Sequence, residues 1–276
     1  VYEQAAPGKD WKKGTSYSAK GYTNNSHTIK FEYNTNHGSE VAQYYVSLSM
    51  VNNTYTPTLH RATANNGNYL AKQLYKTLTK DENWKPSDGV NHTTEEFKNK
   101  QGQVLLKRTY NNQLAHDTYY VYDDFGNLIY VLAPKMEAST ATIATIISKL
   151  DALGYQYKYD QRNRLVEKKI PGKGWKYIVY DVLDRPVATQ DPLLRGKKQW
   201  LFTKYDALGR TVYTGVFNSA STREVLQNQV TGYPLFENRN ASTVQVGDTA
   251  LYYSNQGFPS SVAAVYGISY YDSYPS

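Results

Sequence analysis

The chain has 276 residues, 40% of them hydrophobic and 28 of them tyrosine, with 31 Lys and Arg against 24 Asp and Glu for a net charge of +7. That apolar and aromatic content excludes a disordered tail, and the absence of cysteine excludes a disulfide-stapled domain, a thiolate nucleophile and a Cys-ligated zinc. No apolar run approaches the ~18–20 residues of a membrane-crossing helix, and the length suits one large domain or two ordinary ones.

Tyrosine packs its ring on a pleated surface while its hydroxyl stays wet or hydrogen-bonded. A chain with 28 tyrosines in 276 residues is therefore expected to be mainly β. The opening Val1-Tyr2-Glu3-Gln4-Ala5-Ala6-Pro7-Gly8 lacks the basic start and apolar stretch of a signal peptide. The last residues, Tyr271-Asp272-Ser273-Tyr274-Pro275-Ser276, carry no terminating element, so the chain reads as a fragment of something longer.

Residues 1–91 form an expected N-terminal β-rich region. Asn-Asn pairs at 24–25, 52–53, 65–66 and 111–112 mark loops and hairpin ends, because Asn tolerates left-handed backbone. Between them, Thr28-Ile29-Lys30-Phe31-Glu32-Tyr33 alternates so that Ile29, Phe31 and Tyr33 share one face of a half-buried strand. Gln43 to Val51 reads similarly.

Residues 92–276 are expected to be an array of β-hairpins with one inserted helix. Ile143, Ile146, Ile147, Leu150 and Leu153 fall on one helical face, which predicts a helix of about three turns near residues 139–152. Ser139 or Thr140 would cap its start, and Gly154 would end it in a left-handed conformation.

The array is written as a repeat. Tyr122-Asp123-Asp124-Phe125-Gly126-Asn127 is followed by Tyr159-Asp160-Gln161-Arg162-Asn163-Arg164, Tyr180-Asp181-Val182-Leu183-Asp184-Arg185 and Tyr205-Asp206-Ala207-Leu208-Gly209-Arg210. The tyrosines are 37, 21 and 25 residues apart, and the long interval holds the predicted helix. In this pattern Tyr ends a strand, Asp accepts the backbone N–H groups of a tight turn, and the fifth residue is Gly, Asn or Asp, the types that best tolerate positive φ. A type I turn followed by one left-handed residue is a common hairpin connection. Fainter copies stand at Lys98-Asn99-Lys100-Gln101-Gly102-Gln103, at Tyr253-Ser254-Asn255-Gln256-Gly257-Phe258 and at Tyr271-Asp272, so hairpins are expected from about residue 95 to the end.

These units resemble the Rhs/YD-repeat family of large bacterial surface and secreted proteins. The segments His92 to Val104, Tyr119 to Asn127, Tyr155 to Lys169 and Tyr180 to Ala188 are similar to the Rhs-type branch of Gram-negative gliding and gut bacteria. Residues 1–91 match more loosely, around Glu3 to Trp11 and His27 to Phe31. The resemblance implies a long β-sheet spiralling into a shell, or part of one, that encloses a C-terminal toxin. It also implies a secreted or cell-surface parent exported by a type 9 system. The family's self-cleaving Asp-Pro-x-Gly signature is missing, since Asp191-Pro192 is followed by Leu193-Leu194-Arg195, and no catalytic residue is carried over.

The residues offer little to an enzyme. Of the 5 histidines no two stand at the i, i+4 spacing of a helical zinc site, so no metal is expected. His116-Asp117 is the best general-base pair, placed in a turn-like stretch after Asn111-Asn112. Glu95-Glu96 and Asp123-Asp124 are neighbours that point to opposite faces of a strand, which prevents them from sharing a substrate. Gly172-Lys173-Gly174 lacks the spacing of a phosphate loop and reads as a turn. Residues 155–210 carry 13 Lys and Arg against 6 Asp and Glu, a surplus read first as charged outer strand faces. With Trp175 and Trp200 nearby, that surplus makes these two tryptophans the candidate glycan-stacking residues, beside their bland reading as packed strand residues.

The reading is a structural segment with no cofactor and no chemistry, whose partner is the remainder of its own parent chain, with secretion components or surface glycans as further partners and no nucleic acid. The alternative is a surface adhesin or a glycan- or protein-binding module, and the alternative fold is a β-propeller.

Overall fold

In the computed structural model the described residues are 2–8, 11 and 27–271. Asn24-Asn25 and Asp272, to which the sequence assigns a loop and a repeat position, lie outside them. The chain divides into two compact units, Val1–Leu48 with Pro57–Gln156 and Ser49–Thr56 with Tyr157–Ser276.

In chain order the first strands are β1 (Glu3–Gln4), β2 (Ile29–Thr35), β3 (Tyr44–Val51), β4 (Thr54–Arg61), β5 (Tyr75–Lys80), β6 (Thr93–Lys98), β7 (Val104–Asn111), β8 (Leu114–Tyr122), β9 (Leu128–Leu132) and β10 (Tyr155–Tyr159), with helix α1 (Ile143–Leu153) before the last. The second unit continues with β11 (Leu165–Lys169), β12 (Lys176–Tyr180), β13 (Pro186–Gln190), α2 (Pro192–Gly196), β14 (Gln199–Tyr205), β15 (Thr211–Asn218), α3 (Arg223–Val230), β16 (Arg239–Val246), β17 (Thr249–Tyr253) and β18 (Ala264–Ile268). Fourteen strands form one sheet in the order β1-β2-β5-β6-β7-β8-β9-β10-β11-β12-β13-β14-β15-β18, while β3–β4 and β16–β17 are separate pairs. This is the mainly β, antiparallel hairpin fold that the repeat predicts, and a single fourteen-stranded sheet replaces the propeller's four-stranded blades. On either side of residue 91, β5 and β6 pair from Tyr75↔Lys98 to Lys80↔Thr93.

Two-residue turns close the β3–β4 and β7–β8 hairpins with left-handed pairs, Asn52-Asn53 and Asn112-Gln113. In the first unit Phe97, Leu106, Tyr119 and Leu132 line one buried row. Beside it the same sheet face buries charge. Lys76 pairs with Glu40 at 2.6 Å and Glu95 at 3.0 Å, and Arg108 holds Asp117 at 2.6 Å. The bonds that Arg108 donates to the Asp117 carboxylate keep its guanidinium charged, its pKa raised.

Four expectations change here. Ile29, Phe31 and Tyr33 do share a face of β2, but it is the more open one, with Tyr33 53% exposed and Lys30 only 3%. Alternation tells which residues share a face, and the neighbouring ion-paired rows decide which face is covered. Helix α1 starts at Ile143 with Thr142 as its cap, its hydroxyl accepting the Thr145 N–H, so neither Ser139 nor Thr140 caps it. The carbonyls before it are committed to tertiary donors: Tyr44 donates to Ala138 at 2.6 Å, and Arg61 to Ser139 and Ala141 at 3.2 and 2.9 Å. Gly154 is extended rather than left-handed, with φ −93°. Its small size is needed because a Cβ there would lie 2.9 Å from Leu150 Cδ2. Helices α2 and α3, which the sequence reading passed over, occupy the connections β13–β14 and β15–β18.

The second unit has an aromatic core of Trp200, Phe202, Tyr213, Phe217, Tyr253 and Phe258 packed with Leu226 and Val230 of α3.

Candidate functional site: the repeated turns

All four repeat turns share one geometry. The fourth residue of each turn donates its N–H to the Asp carbonyl: Gly126 to Asp123 at 3.0 Å, Asn163 to Asp160 at 2.9 Å, Asp184 to Asp181 at 3.2 Å and Gly209 to Asp206 at 3.0 Å. These fourth residues have φ of 85°, 58°, 61° and 77°. The Asp Oδ1 accepts two further backbone N–H groups, from Phe125 and Asn127, Arg162 and Arg164, Leu183 and Arg185, and Leu208 and Arg210, all within 2.8–3.0 Å. A β-bulge falls at Tyr122, Tyr180 and Tyr205, where the strand enters its turn. Tyr159 ends β10 in the same place.

The Asp Oδ2 is used as well. It accepts Nε of Arg164, Arg185 and Arg210 at 2.7, 2.8 and 2.7 Å, and Asn127 Nδ2 at 3.0 Å in the first copy. For Asp206, burial opposes the charged form, but the N–H groups and guanidinium of Arg210 with the Leu208 N–H hold its pKa below the ordinary value.

The sixth-position arginine then reaches the next hairpin. Arg164 lies 4.9 Å over the Tyr180 ring, Arg185 4.5 Å over Tyr205, and Arg210 4.3 Å over Tyr271. Each of those tyrosines donates its hydroxyl to the carbonyl just after that arginine: Tyr180 to Leu165 at 2.9 Å, Tyr205 to Pro186 at 2.8 Å and Tyr271 to Thr211 at 3.0 Å. The repeat is thus a two-part lock. Asp closes its own turn and orients an Arg, and that Arg with the following carbonyl seats the next repeat's Tyr. Arg162 and Arg164 also pair with Asp184 at 2.8 Å each, giving that left-handed residue a second task.

The fainter copies divide. Asn99 closes the same turn, its Oδ1 accepting the Gln101 and Gln103 N–H groups at 3.1 and 2.9 Å, with Gly102 at φ 83°. Tyr271 takes the tyrosine place of a fifth unit. Tyr253 to Gly257 is not such a turn, because Gly257 is absent from the left-handed region and its N–H donates to Glu237 at 2.9 Å. The hairpin array is interrupted there by the α3–β16–β17 insertion.

That insertion is fixed by a pair no local pattern announces. Lys204 on β14 and Glu237 are 3% and 2% exposed and meet at 2.9 Å. A plain signal was available for Lys204, a cation in the aromatic run Trp200 to Tyr205, but none for Glu237.

The candidate glycan residues separate as well. Trp200 is fully buried on the inner face of β14, 6.4 Å from the Tyr177 ring, so it cannot stack on a sugar. Trp175 is half-buried with Lys158 Nζ 4.8 Å over its ring. His116 and Asp117 stand in β8 rather than in a turn, on opposite faces, with Asp117 held by Arg108. Among the described residues no group of three or more His, Asp or Glu side chains converges as a metal site. Five of the cations in residues 155–210 are ion-paired: Arg164, Arg185 and Arg210 with their turn aspartates, Lys158 with Glu167 at 3.0 Å, and Lys204 with Glu237 outside that stretch.

Gly209→Val is expected to cost about 1–3 kcal/mol through the backbone alone, because φ is 77° and the nearest atom to a new Cβ is 3.9 Å away. Gly209→Asn is expected to cost less, since Asn163 holds the same place. Thermal melts of both variants check this, and equal melting temperatures for Val and wild type would exclude it.

No family model matches the chain, and no curated protein matches it. Among solved structures it is similar to the crystal structure of TcdB2-TccC3, with 14% identity and a TM-score of 0.41 over 63% of this chain and 8% of that one. It is similar to the Photorhabdus luminescens Tc holotoxin pore at 14% identity and a TM-score of 0.41, covering 63% of this chain and 9% of that one. The TcdB2-TccC3 structure without its hypervariable C-terminal region follows at 11% and 0.40, covering 65% and 12%. The chain spans about a tenth of the length of these solved chains.

Proposed function

We propose that this chain is a structural wall segment of a large Rhs-like protein, secreted or displayed on a bacterial surface, that encloses or carries a C-terminal effector domain and does no chemistry of its own. The observation that supports this is the lock between consecutive hairpins. Three of the four turns hold an arginine for the next tyrosine, an arrangement that extends a sheet by one hairpin at a time. The resemblance of the Tyr-Asp units to the YD-repeat family supplies the rest of the reading: a partial β-shell, the remainder of the parent chain as partner, and export by a type 9 system.

The test uses the longer parent polypeptide. Limited proteolysis should leave an effector domain intact in the wild-type parent and degrade it once Asp160 and Asp181 are replaced by Ala. Equal cleavage of the effector in both proteins would remove the enclosing role.

A further inference from the structure

We infer that the groove beside the β11–β12 turn docks a partner protein's segment in which acidic and apolar side chains alternate. The inference goes beyond the wall role and does not depend on it.

The groove has a volume of about 430 Å³ and lies between the β11–β12 turn and the start of α2. Its cations are Lys168, Lys173 and Lys176. Lys168 and Lys176 are direct partners across the ladder, so they project from the same face of neighbouring strands. Like charges placed directly opposite destabilise a sheet. Five other cations in this unit are matched by acids: Arg164, Arg185 and Arg210 by the turn aspartates, Lys158 by Glu167 and Lys204 by Glu237. Among the described residues the side chains of Lys168, Lys173 and Lys176 make no ion pair or hydrogen bond. The acid on the groove wall, Asp191, already accepts the Leu194 N–H at 2.9 Å as the cap of α2.

The groove also exposes apolar surface, with Leu193 78% and Ile170 42% exposed beside Pro192. Its walls are tied together. Arg195 donates to the Trp175 carbonyl at 3.0 Å, and Gly174 packs so closely that a Cβ would lie 2.8 Å from Pro192 Cγ. A preformed groove with three unmatched cations and an apolar wall is complementary to carboxylates and aliphatic side chains presented together. A polysaccharide or a nucleic acid would satisfy the lysines and leave Leu193 and Ile170 facing water.

The test is fluorescence anisotropy of a short labelled peptide alternating Glu and Leu, titrated with the 276-residue chain. Binding is expected at low salt and weaker at high salt, with a loss of about tenfold or more in the Lys168→Ser/Lys176→Ser variant and in Leu193→Ser. A peptide alternating Glu and Ser, and a heparin fragment, should displace the probe poorly. Unchanged affinity in the double lysine variant overturns the site, and displacement by heparin as effective as by unlabelled Glu-Leu peptide overturns the occupant. The double lysine variant should also melt at or above the wild-type temperature, because it relieves the opposed charges. A lower melting temperature would overturn the reading of that pair as a cost tolerated for binding.

Discussion

Lys204→Ala is expected to destabilise the chain by about 3–5 kcal/mol, read as a lowered urea midpoint, because it strands a buried carboxylate. In the native chain Lys204 uses its three protons on Glu237 Oε1 at 2.9 Å, the Gly257 carbonyl at 2.9 Å and Asn255 Oδ1. Glu237 in turn accepts the Gly257 and Gln256 N–H groups at 2.9 Å and the Ser254 hydroxyl at 2.5 Å. Burial lowers the Lys204 pKa, and the Glu237 charge works in the other direction. Every polar atom of this pair is thus matched, the condition under which a buried charge is tolerated. The variant removes one charge and leaves Glu237, 2% exposed, with neutral donors only. Lys204→Met with Glu237→Gln should recover part of the loss, because no net charge is buried and the amide oxygen still accepts one of the two backbone N–H groups that Glu237 holds. A Lys204→Ala effect under about 1 kcal/mol, or a double variant weaker than the single, would show that solvent reaches the pair and that it does not fix the insertion.

The position of this pair explains its weight. The connection from β15 to β18 leaves the sheet, forms α3 and the β16–β17 pair, and returns. Glu237 lies on that excursion, its N–H donating to the Tyr205 carbonyl at 2.8 Å. The excursion is therefore bound to the strand that carries Lys204 by both backbone and side chain.

The hairpin turns were legible because their chemistry closes within six residues. Asp123, Asp160, Asp181 and Asp206 find their backbone donors two and four residues on, and the left-handed place is written as Gly, Asn or Asp. What lay beyond six residues was not legible. The start of α1 depends on Tyr44 and Arg61 taking carbonyls some eighty or ninety residues away in the chain. The covered face of β2 depends on which neighbouring rows carry ion pairs. Trp200 looked available for a sugar because composition cannot separate an inner strand face from an outer one. The Arg–Tyr contact was the nearest miss. Both residues stood in three of the four complete copies, and asking where the sixth residue points would have raised the question of the next repeat.

Asp181→Ala is the sharpest test of the repeat as a device, with an expected loss of about 3–4 kcal/mol. Asp181 is 4% exposed, and its removal leaves the Leu183 and Arg185 N–H groups without their acceptor. It also removes the carboxylate that holds Arg185 at 2.7–2.8 Å. Asp181→Asn keeps the acceptor for the two N–H groups but sets an amide N–H where Oδ2 accepted from Arg185, so its cost should be smaller than that of Ala, about 1–2 kcal/mol. The chain itself contains that solution: Asn99 closes its turn and donates Nδ2–H to Gln103 Oε1 at 2.6 Å, with no arginine present. Asp181→Asn with Arg185→Gln should accordingly form its own turn while losing the stack on Tyr205. Urea unfolding orders the variants, and amide exchange locates the damage. In Asp181→Ala the Leu183 and Arg185 amides should exchange faster, and in the double variant the loosening should appear instead around Tyr205, the next hairpin. Equal costs for Ala and Asn would mean that Asp181 does not cap its turn. Unchanged exchange at Tyr205 would mean that the arginine does not join one hairpin to the next, and the mechanical basis of the proposed wall would fall with it.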